Sequence, residues 1–249
     1  MSIAPVAIVT GAANADGIGA ACARALAKRG HAVGLLDRRP STELVEELTD
    51  AGHTAASGIV DLADHATIPP AVEALEAELG DAPSVLVNCA ADLTMGTLGE
   101  IDSATIQRVL AVNVVAAAML AQHVAPKMAA RGFGRIVNIA SDTFDRPPAA
   151  GFVSYATAKG ALIGLTRSLA VELGPSGITV NAISPGLTRT PSSQAQVPAV
   201  AFEQVMRAQA VERALEPADY EGLIALLVSP EAAAITGQNI RANAGLTMA

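Results

Sequence analysis

Apolar residues in this chain fall into short runs, separated by longer stretches in which they recur every three to four positions. The short runs predict strands at 5–10, 32–37, 55–60, 84–88, 134–140, 178–183 and about 237–242. The stretches between them predict helices at roughly 17–29, 41–51, 69–79, 102–131, 152–173 and 217–228. Pro69 and Pro70 suit the first turn of the third helix, where a missing N–H costs nothing. Strands alternating with helices imply an α/β fold: a doubly wound, parallel sheet of about seven strands, with helices on both faces. No repeat, low-complexity tract or linker divides the chain, so 1–249 reads as one domain. The one long stretch without periodicity is 186–216. A connection of that length predicts a lid or binding loop.

Two segments need more than pattern. Residues 109–126 carry no charged side chain, long enough to raise the question of a membrane span. Asn113, Gln122, His123 and Pro126 lie inside it and alanine is only weakly apolar, so a helix buried within or between subunits is the better reading. Residues 153–173 hold three charged residues, Lys159, Arg167 and Glu172. A helix so apolar around its circumference is buried on more than one side. Two such helices in one domain imply a partner surface.

Composition narrows the classes of function. Of the 249 residues, 51% are apolar, enough for a large core, but only 2% are aromatic, so few large anchors are available. A net charge of −8 argues against a polyanion partner such as DNA or RNA. The two cysteines, Cys22 and Cys89, have no metal-like spacing. With no signal-like N-terminal segment, a reducing cytoplasm is the expected compartment.

The chemistry concentrates at Tyr155-Ala156-Thr157-Ala158-Lys159, with Ser141 fourteen residues upstream of the tyrosine. On a helix, residues four apart share a face. A lysine ammonium beside a phenol favours the phenolate, suiting the pair to general acid–base work. At the other end, Thr10-Gly11-Ala12-Ala13-Asn14-Ala15-Asp16-Gly17-Ile18-Gly19 follows the first predicted strand. A glycine-rich turn opening a helix offers backbone amides and the positive helix end to a pyrophosphate. The G-x-G-x-x-G fingerprint is not met, since counting from Gly17 places Cys22 at its third glycine. Asp37 ends the second strand eighteen residues after Gly19, where a carboxylate would take ribose hydroxyls and repel a 2′-phosphate. This favours NAD over NADP, though Arg38 and Arg39 could pair with such a phosphate. Asp61, ending the third strand beside Leu62, is a candidate for adenine contact, or else a cap of the next segment.

Taken together these residues resemble the short-chain dehydrogenase/reductase family, nearly end to end. The Thr10–Gly19 loop is similar to its T-G-x-x-x-G-x-G, Asn88-Cys89-Ala90-Ala91 to its N-N-A-G, and Tyr155/Lys159 to its Y-x-x-x-K. Asn113 and Ser141 stand where the family has a catalytic asparagine and serine. Pro185, Gly186 and Thr188 match the stretch bordering the nicotinamide, and Asn181 falls in the V-N-A before it. The resemblance implies an oxidoreductase moving a hydride between nicotinamide and a carbon bearing oxygen. Tyr155 would exchange the proton, Lys159 would lower its pKa and hold the ribose, Ser141 would bind the substrate oxygen, and Asn113 would keep a relay water. Cofactor contacts would fall at Gly11, Asn14, Gly17, Ile18, Gly19, Asp37, Arg38, Asp61, Leu62, Asn88, Ala90, Ala91, Tyr155, Lys159, Pro185, Gly186 and Thr188. No metal is implied. The resemblance also implies a homotetramer, or a homodimer, built on the two apolar helices.

The chain departs from the family in places. Its glycine loop is two residues longer and carries Asp16, a carboxylate that weakens phosphate binding unless it points away or caps the helix. Cys89 and Ala91 replace an asparagine and a glycine, Ala242-Asn243-Ala244-Gly245 replaces V-D-G-G, and Pro147-Pro148 lengthen the gap between Ser141 and Tyr155. Leu93, Met95, Thr143, Phe144, Leu187, Val197, Phe202, Val205 and Met206 are candidate pocket walls. Mostly apolar, they suggest a small to medium secondary alcohol or ketone. The Ser184–Thr190 run and the lid resemble bacterial NAD-dependent dehydrogenases acting on 1-phenylethanol or pyridoxal. Two other enzyme types fit less well. Enoyl-thioester reductases space their tyrosine and lysine wider than four. Acyl-carrier ketoreductases, which use NADPH on 3-oxoacyl thioesters, carry a basic residue where this chain has Ser176. A nucleotide-binding regulatory or scaffold protein that kept the fold and lost turnover is the non-enzymatic alternative.

Overall fold

Alternation within the strands dictates the layers. In the first strand Val6 and Ile8 face one side of the sheet and Ala7 and Val9 the other, and all four are buried. A strand buried on both faces must be covered by helices on both. The computed structural model describes residues 4–248; Met1–Ile3 and Ala249, the outer ends of the predicted 1–249 domain, lie outside them. It contains one seven-stranded, fully parallel sheet: β1 (Val6–Thr10), β2 (Ala32–Asp37), β3 (Ala55–Ile59), β4 (Pro83–Asn88), β5 (Gly134–Ile139), β6 (Ile178–Pro185) and β7 (Asn239–Ala242), in the order 3-2-1-4-5-6-7. Every predicted strand is present, its ends shifted by two residues or fewer.

One layer is built by α3 (Ile68–Leu79), α5 (Ala116–Ala130) and α6 (Val153–Leu173), which cover Val6, Ile8, Leu86 and Ile136. The other is built by α1 (Ile18–Lys28), α2 (Thr42–Asp50) and α9 (Glu221–Leu227), which cover Ala7, Val9, Val87 and Val137. The predicted helix over 102–131 is continuous but not uniform. α4 (Ser103–Leu110) passes through a π-helical turn, Ala111–Val115, into α5. This stretch is long and apolar enough to cross a membrane by length and composition. Leu120, Val124 and Met128 nevertheless pack in the core against the sheet, as the sequence reading favoured. The predicted last helix opens as a 3-10 turn, Pro217–Tyr220, before α9 begins.

The stretch 186–216 departs from expectation. It holds two helices, α7 (Pro191–Gln196) and α8 (Ala199–Ala208). α7 is only six residues of polar and small side chains, so it has no apolar period to read; a capping box between Thr190 and Ser193 and Pro191 in its first turn start it instead.

The strand order reverses at β1, leaving a crevice between the carboxyl ends of β1 and β4, the usual ligand site of such a sheet. Gly11 turns the chain there at φ +73°, and a Cβ on it would lie 2.6 Å from Ala90 Cα. Gly52, at φ +84°, has nothing within 4 Å of such a Cβ. Replacing Gly52 by Ala should therefore lower the unfolding free energy by only about 1–2 kcal/mol, the left-handed backbone cost. Gly11→Ala should cost clearly more, because the clash is added; urea denaturation of both variants measures the difference.

Candidate functional site

At the nucleotide end, the first turn of α1 is free of competing groups. Gly17 stands at its N-cap with no side-chain hydrogen bond, and the first turn holds no acidic residue. The amides at Ile18 and Gly19 are therefore open to an anion. A Cβ on Gly19 would fall 2.3 Å from the Gly11 carbonyl oxygen, so the loop can fold this tightly only on glycine. The two extra residues are anchored: Arg24 Nη1 donates to the Ala15 carbonyl at 2.8 Å, while its other nitrogens bind both Glu47 oxygens. Asn14 Oδ1 accepts from the Asp16 amide at 3.1 Å. The Asp16 side chain is exposed, within the field of Arg24. The insertion thus places its carboxylate in solvent rather than capping α1.

The Asp37 carboxylate reaches back to the glycine loop. One oxygen accepts from the Ala13 amide at 3.0 Å and the other from the Arg39 amide at 3.1 Å. Arg38 and Arg39 are exposed. Asp61 is exposed and accepts from the Ala63 amide, the local turn role weighed for it, while Leu62 is buried. At the end of β4, Thr10 Oγ1 accepts from both the Cys89 and Ala90 amides, at 3.0 Å each. Burial pushes the Cys89 thiol up to about 12, against the pull of Lys159, so it stays protonated. Ala91 is exposed at the start of the following loop.

A buried hydrogen-bond chain runs from there to α6: Asn88 Nδ2 to Asn138 Oδ1 (2.8 Å), Asn138 Nδ2 to Thr166 Oγ1 (2.9 Å), and Thr166 to the Leu162 carbonyl (2.8 Å). Asn113, in the π-helical turn, donates to the carbonyls of Asp92 (3.0 Å) and Val109 (2.9 Å). This fixes the β4 loop to the helix beneath it. Asn88 and Asn113 both line one cavity of about 10 Å³, and the Oδ1 of each is buried without a protein partner.

Tyr155 and Lys159 sit one turn apart on the buried face of α6, 9% and 2% exposed. Lys159 Nζ donates to the Ile139 carbonyl at 2.7 Å and lies 5.5 Å from the centre of the Tyr155 ring. Ser141 Oγ accepts from the Thr143 amide (3.2 Å) and hydroxyl (3.0 Å), which leaves its own proton free to donate. The expected electrostatics differ in one respect. Burial lowers Lys159 to about 8 and raises the Tyr155 phenol above its ordinary value, against a hydrogen bond with Ser141. Desolvation, not the neighbouring ammonium, dominates in the protein alone.

The candidate pocket walls fall on three segments. The loop after β4 and the loop after β5 are joined: Gly96 pairs with Phe152 through the Gly96 amide and the Gly151 carbonyl (2.9 Å), and Ser154 Oγ donates to the Thr94 carbonyl (3.1 Å). Leu93 and Thr143 are half-buried there, and Met95 is exposed. α8 turns Phe202, Val205 and Met206 inward and leaves Glu203, Gln204 and Arg207 in solvent, with Leu187 and Val197 half-buried beside it. Phe144 instead packs with Ala140, Ile163 and Ala182, under the Arg241 guanidinium. Pro185 is buried, and Gly186 abuts Leu215 and Asn243.

Two residues here were not singled out from sequence. Tyr220, 1% exposed, places its hydroxyl 2.5 Å from Thr188 Oγ1. Asp142, next to Ser141, is buried and has only a long contact, 3.4 Å, to Asn243 Nδ2. The one signal for Tyr220 was composition: the chain has two tyrosines, and the second opens an apolar helix.

A glycine-loop crevice at the switch point of a doubly wound sheet, joined to a buried Ser-Tyr-Lys group, is the architecture of a dinucleotide-dependent oxidoreductase. The family model described as Enoyl-(Acyl carrier protein) reductase matches residues 11–247. Cis-4-hydroxycyclohexanecarboxylate dehydrogenase from Sinomonas cyclohexanicum is 35% identical, the match covering 97% of this chain and 96% of the relative. Among solved structures, a short-chain dehydrogenase/reductase from Serratia marcescens superposes with a TM-score of 0.90 at 32% identity, over 98% of each chain. A blue fluorescent protein from a metagenomic library, in complex with NADPH, does so with a TM-score of 0.89 at 34% identity, over 98% of each. The chain belongs to the short-chain dehydrogenase/reductase family. It is an oxidoreductase of that family, and its fold is the one the sequence predicted.

Burial raises the Asp142 carboxyl from its ordinary 3.8 to about 6, against Asn243 and Arg146. Its folded-state pKa is raised, so stability falls as pH climbs through 3.8 to 6 and stays lower above. Asp142→Asn should therefore gain stability over the native chain at pH 8 compared with pH 4, by up to roughly 3 kcal/mol. Denaturant titrations at the two pH values measure it.

Proposed function

We propose that this chain is an NAD-dependent dehydrogenase of small to medium, mostly apolar secondary alcohols, with Asn113, Ser141, Tyr155 and Lys159 as its catalytic residues. The observation that carries this is the burial of Tyr155 and Lys159 on one helix turn, beside a Ser141 hydroxyl that accepts from Thr143 and so keeps its own proton for the tyrosine oxygen or a substrate oxygen. The same spacing of four distinguishes this reading from enoyl-thioester reduction, despite the description of the matching family model.

The residues at the sheet switch point fit a dinucleotide. Gly11 and Gly19 make a cradle that any Cβ would fill, and the first amides of α1 have no side-chain cap. When bound, NAD supplies the acceptor for the substrate hydride. Asp37, already turned toward the glycine loop, would hold the adenosine ribose and disfavour a 2′-phosphate. Gly186 and Thr188 would border the nicotinamide. Ser141 would donate to the substrate oxygen as charge builds there. Tyr155 would take the hydroxyl proton during oxidation and return it during reduction. Lys159 would hold positive charge beneath the phenol, and its ammonium has one proton fixed on the Ile139 carbonyl. Asn113, tied to Asp92 and Val109 by its amide nitrogen, lines the small cavity with an unpartnered Oδ1, which would hold the water that relays protons to Lys159.

Leu93, Leu187, Phe202 and Met206 would make an apolar substrate wall, with the lid as its mobile part. A relative acts on a hydroxycyclohexane carboxylate, which agrees with a cyclic or branched secondary alcohol as substrate. A homotetramer using α5 and α6 would cover the apolar positions those helices leave outside, such as Val171, 80% exposed. The cytoplasm suits its free Cys22 and Cys89.

Tyr155→Phe should lower turnover of secondary alcohols by roughly 10²–10⁴-fold while leaving NAD binding in place, read by absorbance of reduced nicotinamide. Turnover unchanged in that variant would remove the tyrosine from the reaction. Asp37→Ala should shift the ratio of kcat/KM for NAD over NADP toward NADP by about tenfold or more, the worth of a charged hydrogen bond. A native enzyme active only with NADP would overturn the role given to Asp37. Cofactor binding without turnover on any alcohol tested would favour a non-catalytic scaffold.

A further inference from the structure

We propose that Tyr220 is a positioning residue for the nicotinamide end of the cofactor, acting through Thr188; this rests on the dehydrogenase reading above. Only two tyrosines occur in the chain, and both are buried at the site. Tyr220 closes the 3-10 turn Pro217–Tyr220, and its ring lies in the core layer that also holds Ala20, Cys22 and Ala23 of α1. A phenylalanine would fill that apolar space equally well. Burying a hydroxyl there is unfavourable unless it is hydrogen-bonded. Its one side-chain partner among the described residues is Thr188 Oγ1, 2.5 Å away.

The direction of that bond follows from the partner's geometry. Thr188 Oγ1 donates its only proton to the Gly186 carbonyl at 2.9 Å. Tyr220 must then be the donor to Thr188, and burial, which raises its pKa, keeps the phenol protonated for the task. The threonine hydroxyl is thereby fixed in one rotamer with one lone pair left for a ligand. The backbone around it is held as well: Thr188 bridges to Leu215, and the Arg189 amide donates to the Leu215 carbonyl at 2.8 Å. Gly186 has no room for a side chain, with Leu215 and Asn243 each 2.9 Å from where a Cβ would stand. A single ring thus sits against the helix whose first turn offers amides to the phosphates, while its hydroxyl reaches the strand end where nicotinamide would lie. Tyr220 links the supports of the two ends of one cofactor.

The test is a double-mutant cycle on the full-length protein: native chain, Tyr220→Phe, Thr188→Val and both together. The readouts are NAD and NADH Kd by calorimetry, KM and kcat with a secondary alcohol, and melting temperature. Tyr220→Phe should raise the Kd about three- to tenfold, the worth of one hydrogen bond. In the Thr188→Val background it should add almost nothing, since the hydroxyl then has no partner. A Tyr220→Phe protein with lowered melting temperature and unchanged Kd would show a purely structural tyrosine and overturn the proposal. So would fully additive effects in the double variant. A native chain that binds neither NAD nor NADP would instead overturn the dehydrogenase reading itself, which separates the two failures.

Discussion

The Thr10 hydroxyl, accepting the amides of Cys89 and Ala90, is the joint on which the rest of the molecule depends. A doubly wound sheet must part its loops somewhere, and here they part between β1 and β4. Without that hydroxyl the Cys89 and Ala90 amides at the end of β4 would lose their partner, whereas the Gly11 amide at the end of β1 is held by the Leu36 carbonyl. One side-chain oxygen closes the two strand ends, and glycine at position 11 lets the backbone pass within reach of Ala90. The crevice beside this joint has a floor that cannot widen without breaking it. The proposed cofactor contacts are measured from there: the first turn of α1, the Asp37 carboxylate and the Asn88–Asn138–Thr166 chain that leads to α6.

The Tyr155–Lys159 end of the site is governed by dehydration rather than by pairwise attraction. Tyr155, Lys159 and Asp142 all lie where water is scarce, and each is pushed toward its neutral form. The tyrosine–lysine arrangement is preserved in space, but burial holds the phenol protonated in the protein alone. Charge at this site is therefore costly until another charge or a hydrogen-bonding partner arrives to share it, a condition that couples reactivity to ligand binding.

The fold was legible because its central strands β1, β2 and β4 are buried on both sides and read as largely apolar runs, while α1, α2 and α3 show a helical period. The Ser141, Tyr155 and Lys159 grouping was legible because helix spacing and strand end are local properties. What escaped depends on contacts between distant segments or on local geometry without a period. α7 is too short and polar to carry one. The π-helical turn at Asn113 is a change in hydrogen-bond step, invisible to composition. Phe144 reads as a pocket wall by its place in the chain, yet the Arg241 guanidinium and the cluster around Ile163 claim it. Asp16 threatens phosphate binding by its place in the loop, yet Arg24 holds that loop and the carboxylate stands in solvent. The partnership of Tyr220 with Thr188 spans thirty-two residues and leaves no trace in either neighbourhood.

The pairing of Gly96 with Phe152 makes one rigid jaw of two loops that would otherwise move apart. The opposite jaw, α7 and α8, is tied at its two ends, by the bridge between Thr188 and Leu215 and by the Val211 amide on the Ala244 carbonyl at 3.0 Å. Such a division lets descent act on the two halves separately. The fixed jaw carries Ser141 and frames Tyr155, so a change there would disturb the proposed reaction itself. The other carries the candidate substrate wall on α8, so a change of side chain there would alter which alcohol fits and leave the serine, tyrosine and lysine in place. Diversity of substrates on a common reaction is then a property of how the jaws are hinged, before any particular side chain is chosen.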